Sequence, residues 1–151
     1  MKDWLRLIKR LGACEEALEW GENYATIEEA WQSCERGVWM LWLLGKLSGA
    51  PETDSRKKLV LTACQCARLA LPHVEKGETK PLKAIETAEA WAMGEGGITL
   101  QDVRNTAAYA AYAVYAVYAA DAADARSKVL KQCADIVREY YPEPPSLSKG
   151  G

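Results

Sequence analysis

From Thr99 to Tyr141 the chain contains neither glycine nor proline, so no residue there forces a helix to stop before Pro142. One straight helix over that span would reach about 65 Å at roughly 1.5 Å per residue. A compact domain of 151 residues is only about 40 Å across. The segment must therefore bend, break or protrude. The polar run from Asp121 to Arg126 is the expected place.

Inside that span lies "AAYAAYAVYAVYAADAAD", with tyrosine at Tyr109, Tyr112, Tyr115 and Tyr118 and aspartate at Asp121 and Asp124. Three residues advance a helix by about 300°, so each tyrosine falls about 60° behind the last. The row is one of the inclined ridges that helices use for packing, with the alanines as its grooves. Two uses remain open: a ridge buried among neighbouring helices, or a partly exposed tyrosine wall. The first is the expectation, because alanine favours the helix and lets neighbouring backbones approach.

The rest of the chain is punctuated into shorter helices. Trp4, Leu5, Ile8 and Leu11 share a face over residues 3–11, and Gly12 ends it. A second helix is expected over about 13–20. Thr26 and Glu29 form a capping box at the head of a third. "VWMLWLLGKL" is apolar nearly all round and should be buried on most sides. Asp54 or Ser55 should open a helix over about 55–71, halted by Pro72. Pro81 suits the first turn of a helix over 81–93, and Thr99 with Asp102 caps the long span. No period-two strand pattern occurs. The predicted fold is all-α, a compact bundle of about six to eight helices around the long Ala/Tyr-rich C-terminal helix. One domain over 1–141 and a disordered tail over 142–151, "PEPPSLSKGG", are expected.

Composition narrows the function classes. The net charge of −2 gives no general attraction to nucleic acid or anionic membrane, so neither a membrane nor specific DNA is expected as partner. Residues 1–10, "MKDWLRLIKR", lack the apolar core of an export signal, and five cysteines without one read as reduced thiols. A cytoplasmic protein is expected. Cys64 and Cys66 are about 200° apart on a helix and cannot grip one metal. They and Cys14, Cys34 and Cys133 read as buried structural thiols. His73 is the single histidine, "GEGG" is a helix stop, and no nucleophile elbow occurs. The expectation is a non-enzyme without metal or cofactor.

Charge is unevenly placed. Residues 1–35 carry eight acidic and four basic side chains, and residues 36–83 carry four acidic and nine basic. Complementary solvated helix faces explain such blocks, and so does a partner surface, for which Glu15, Glu16, Glu19, Glu28 and Glu29 are the acidic candidates. A second candidate is aromatic. Trp31, Arg36, Trp39 and Trp42 cluster within twelve positions, with Arg68, His73 and Lys83 in the neighbouring basic block. Arg36, Trp39, Arg68, His73 and Lys83 would suit a nucleotide-like molecule if the fold joins them, whereas a core tryptophan cluster with an arginine rim is the plainer arrangement. Trp42 is expected in the core and Trp39 partly exposed beside Arg36 or Arg68.

Several segments together, "LGACEEALEW", "TIEEAWQSCERGVWMLWLL", "LTACQCARLALPHV", "KPLKAIETAEAW", the Ala/Tyr tract and "CADIVREYYP", resemble the Imm5-like immunity proteins of bacteria and phages. The likeness covers about residues 5–141. It implies a helical, non-enzymatic protein that binds and neutralises a protein toxin, and it brings no active site. Relatives carry an acidic residue where Val38 stands here, so no carboxylate role transfers to that position. The alternative is a phage counter-defence protein that sequesters a nucleotide signal or blocks a defence enzyme. A homo-oligomer is compatible with either.

Overall fold

A computed structural model describes residues 1–103 and 123–147, with backbone only at 123 and 124. The tyrosine ridge, and with it residues 104–122 of the expected long helix, lies outside the described residues. Residues 123–140 are helical, and the expected break or bend near Asp121 to Arg126 falls partly outside the described residues.

Among the described residues every regular element is a helix. These are α1 (Asp3–Leu11), α2 (Glu15–Gly21), α3 (Ile27–Ser33), α4 (Gly37–Leu47), α5 (Asp54–Arg68), α6 (Lys80–Ala92) and α7 (Ala123–Tyr140), with a 3-10 turn at Leu71–His73. Another helix opens at residue 100. Gly12 takes φ 98°, the left-handed geometry that lets α1 stop and turn. The Thr26 hydroxyl accepts from the Glu29 amide at 3.2 Å, and the Glu29 carboxylate reaches back to the Ala25 amide at 2.9 Å. Thr99 and Asp102 form a directly reciprocal pair: the Thr99 hydroxyl accepts from the Asp102 amide at 3.1 Å, and the Asp102 carboxylate accepts from the Thr99 amide at 2.8 Å.

Two local expectations are corrected. Thr53, not Asp54 or Ser55, caps α5, its hydroxyl accepting from the Arg56 amide at 3.3 Å. That helix ends at Arg68, and Pro72 sits inside the short 3-10 turn.

α4 packs against α5 and α7, α5 also packs against α6 and α7, and α1 lies on α2. The α4–α7 crossing is close because Gly37 faces the α7 backbone: a Cβ there would lie 2.4 Å from the Cys133 Cβ and 2.6 Å from the Ala134 nitrogen. Met40, Leu43 and Leu44 of α4 join Leu59, Cys66, Cys133, Ala134 and Val137 in one core. The nearly all-apolar α4 is thus covered on most sides, with Lys46 its one exposed residue.

Cys64 and Cys66 face opposite ways, as their spacing requires. Cys64 points to α6, its thiol donating to the Ile85 carbonyl at 3.8 Å. Cys66 meets Cys133 of α7, and each thiol donates to the other's carbonyl, at 3.7 and 3.8 Å. The bond with Cys133, and then burial, push the Cys66 thiol up. Cys34 is also buried, but Cys14 is exposed, contrary to expectation: it stands at the N-terminal boundary of α2, before the helix begins, and its side chain makes no capping bond.

The tail is also corrected over its described part. Gln32 donates to the Pro142 carbonyl at 2.6 Å, and Leu147 packs against the core. Residues 142–147 therefore lie on the fold, while 148–151 fall outside the described residues.

Candidate functional site

α1 and α2 are short helices whose inner faces carry small residues beside tryptophan, and that pattern leaves space. Where they meet α3 and α4 they enclose an apolar cavity of about 330 Å³. Of the six tryptophans, five line it: Trp4, Trp20, Trp31, Trp39 and Trp42. Gly12, Ala13 and Ala17 supply the room on one side, and Val38 stands on the α4 wall. An apolar Val38 suits that wall, where a carboxylate would be desolvated without a partner.

The rings are arranged, not merely crowded. Trp20 stands 5.6 Å from Trp39, centroid to centroid, tilted by 56°, and 4.7 Å from Tyr24 at 48°. Both are tilted contacts of the kind aromatic rings favour. The Arg36 guanidinium lies 4.2 Å above the Trp39 ring, and its Nη1 donates to the Glu16 carboxylate at 2.5 Å. This pair links α2 to the start of α4 beside Trp39. Glu16 is 69% exposed, so the pair adds at most about 1 kcal/mol to stability. Its role is to orient a planar cation over an indole. Two N–H groups here, Trp4 Nε1 and Arg36 Nε, are buried without a hydrogen-bond partner among the described residues. Each such group costs about 1–3 kcal/mol.

The floor is fixed by contacts from the far end of the chain. Trp31 is buried, and its indole N–H donates to the Tyr141 carbonyl at 2.9 Å. Arg138 of α7 donates to the Trp31 and Cys34 carbonyls at 3.0 and 2.6 Å, closing the open end of α3.

The predicted site residues divide into two groups. Glu15, Glu16 and Glu19 on α2 and Glu28 and Glu29 on α3 are all exposed, on the two helices whose Ala17, Trp20, Ile27 and Ala30 wall the cavity. The acidic face and the tryptophan cluster, read from the sequence as separate candidates, share α2 and α3, but Glu15 and Glu19 stand about 160–200° around α2 from Ala17 and face away from the cavity. Glu16 holds Arg36 and Glu29 caps α3, whereas Glu15, Glu19 and Glu28 make no ion pair among the described residues.

The nucleotide set is split. Arg36 and Trp39 meet as expected, but Arg68 forks onto Glu89 of α6 at 2.7 and 2.8 Å. His73 lies on the 3-10 turn and Lys83 is exposed on α6, and neither lines the cavity. Trp42, expected in the core, is half-buried like Trp39, because its ring forms cavity wall with Lys46 at 5.8 Å. Trp4, Trp20 and Tyr24 were not singled out as site residues. Their signal is tryptophan on short helices interleaved with Gly12, Ala13 and Ala17, small residues that leave room beside the rings.

No family model, curated protein or solved structure matches this chain. Among the described residues no helix is long and apolar enough to cross a membrane, and no group of three or more potential ligands is placed to hold a metal ion.

Proposed function

We propose that this chain is a non-catalytic inhibitor that binds a basic protein partner through the α2–α3 face, acting as an immunity protein against a toxin. The observation that carries the reading is the placement of Glu15, Glu19 and Glu28 on the exposed surface of α2 and α3, without ion-pair partners among the described residues. Carboxylates of one sign steer a basic partner and speed its association. The resemblance to Imm5-like proteins supports the same reading. The counter-defence alternative keeps support for blocking a basic enzyme; its nucleotide branch loses support because Arg68, His73 and Lys83 lie away from Trp39.

Co-expression with the toxin encoded beside the gene tests the proposal. Rescue of growth and co-purification are expected, both lost in E15K/E19K/E28K at unchanged helix content. A neighbouring toxin that kills equally with and without this chain would overturn the reading.

A further inference from the structure

We infer that Cys66 and Cys133 are a latent disulfide: hydrogen peroxide joins them into a covalent staple between α5 and α7, and a thiol reductant reverses the change. The inference assigns a modification site in the core and is independent of the inhibitor reading. Three observations carry it.

The first is the geometry of the pair. The Cys66 thiol donates to the Cys133 carbonyl at 3.7 Å, and the Cys133 thiol donates to the Cys66 carbonyl at 3.8 Å. Each sulfur thus reaches the other residue's backbone, and the two side chains are also hydrogen-bonded to each other. A disulfide spans only about 4.4–6.8 Å between Cα atoms, so cysteines on separate helices can be bridged only where backbones approach and side chains converge. Here they do both.

The second is how little oxidation removes. The Cys66 carbonyl already accepts from the Leu69 amide at 3.1 Å, and Cys133 lies well inside α7, where its carbonyl keeps a helical partner. Thiols are weak donors. Losing both protons therefore strands no backbone group.

The third is selectivity. Of the five thiols, Cys34 is engaged with the Arg36 carbonyl at 3.5 Å and Cys64 with the Ile85 carbonyl at 3.8 Å, while Cys14 stands exposed at the start of α2. Only Cys66 and Cys133 hydrogen-bond to each other's residues among the described residues.

The chemistry balances. Peroxide is small enough to enter through a local opening of packed helices. The hydrogen bond from Cys66 draws the Cys133 thiol below its ordinary value despite burial, so Cys133 ionises first. Its thiolate attacks one peroxide oxygen, the O–O bond breaks, and hydroxide leaves a sulfenic acid on Cys133. Cys66 then releases its proton, and its sulfur attacks the Cys133 Sγ and expels the hydroxyl as water. Two thiols and one peroxide become one disulfide and two waters. The staple joins residues 67 apart in sequence, a long loop whose closure restricts the unfolded chain strongly.

The test uses the full chain carrying C14A, which removes the exposed thiol. The folded protein would be treated with hydrogen peroxide, then denatured, alkylated with iodoacetamide and digested without reduction for mass spectrometry. A Cys66–Cys133 cross-link is expected, with Cys34 and Cys64 still alkylated. The oxidised chain should melt roughly 5 °C or more above the reduced one, and dithiothreitol should restore the original melt. C66S lacks the resolving thiol and should give no cross-link, trapping a dimedone adduct at Cys133 instead; should C66S fail to fold, the mapping in C14A still decides. Cys66 and Cys133 left fully alkylatable would overturn the inference. So would sulfinic or sulfonic acid at either residue, a cross-link to Cys34 or Cys64, a staple that forms only in urea, or a melt unchanged or lowered by oxidation.

Discussion

Arg138 is one side chain on which two helices depend. Its guanidinium serves the Trp31 and Cys34 carbonyls and is held from below by Asp135 at 2.9 Å. R138M keeps the apolar stem but strands both carbonyls, and should cost about 2–4 kcal/mol in a urea melt. A loss under about 1 kcal/mol would mean that water replaces the guanidinium. The tryptophans separate on the same measurement. Trp31 is 4% exposed and bonded to Tyr141, so W31A should cost about 3–5 kcal/mol. W39A removes a half-buried wall and should cost clearly less. Equal losses would make Trp39 core and remove it from the site.

α4 carries two glycines with opposite demands, and the contrast is a test at the level of the helix. Gly37 sits against the α7 backbone, and a methyl there has no flexible neighbour to push aside. G37A should separate α4 from α7 and cost about 1–3 kcal/mol or more. At Gly45 a Cβ would meet nothing within 4 Å. G45A should therefore stabilise by about 0.5–1 kcal/mol through helix propensity alone. Thermal melts of the two variants should move in opposite directions. Two shifts of the same sign would show that the α4–α7 contact is looser than described.

These elements also show what could be read from the sequence. Helix identities followed from punctuation and caps, because Gly12, the Thr26–Glu29 box and the Thr99–Asp102 box act within a few residues. Boundaries slipped where two caps competed, as at Thr53, Asp54 and Ser55. The half of the site carried on α3 and α4 was legible as a cluster of tryptophans. The other half was not, because pairing Trp20 with Trp39 and Glu16 with Arg36 depends on how α2 docks, a tertiary fact with no local signature. The residues sought for a nucleotide were joined only by proximity along the chain, and Arg68 found Glu89 instead.

At the scale of the whole molecule, three of the four buried thiols, Cys34, Cys64 and Cys66, make stability sensitive to alkali. Burial, and then the nearby Glu89 charge, push the Cys64 thiol from 9.0 up to about 11. The folded state therefore keeps a proton that the unfolded chain releases first. Its contribution is intact below pH 9 and is lost as pH rises from 9 toward 11, about 2–3 kcal/mol in all. Cys34, raised chiefly by burial, titrates in the same sense. Melting temperature should fall over that window, and C64A should shallow the fall. A flat profile to pH 11 would contradict the burial of these thiols.

Trp20 and Trp39 have one further consequence. Two indoles 5.6 Å apart and tilted by 56° no longer absorb independently. Their electronic transitions couple, and a chiral pair of coupled transitions adds a couplet of paired signs to the circular dichroism, superimposed on the helical signal. An occupant that displaces either ring must alter the couplet while the helix bands stay constant. The cavity thus carries its own optical reporter, requiring no label and no mutation.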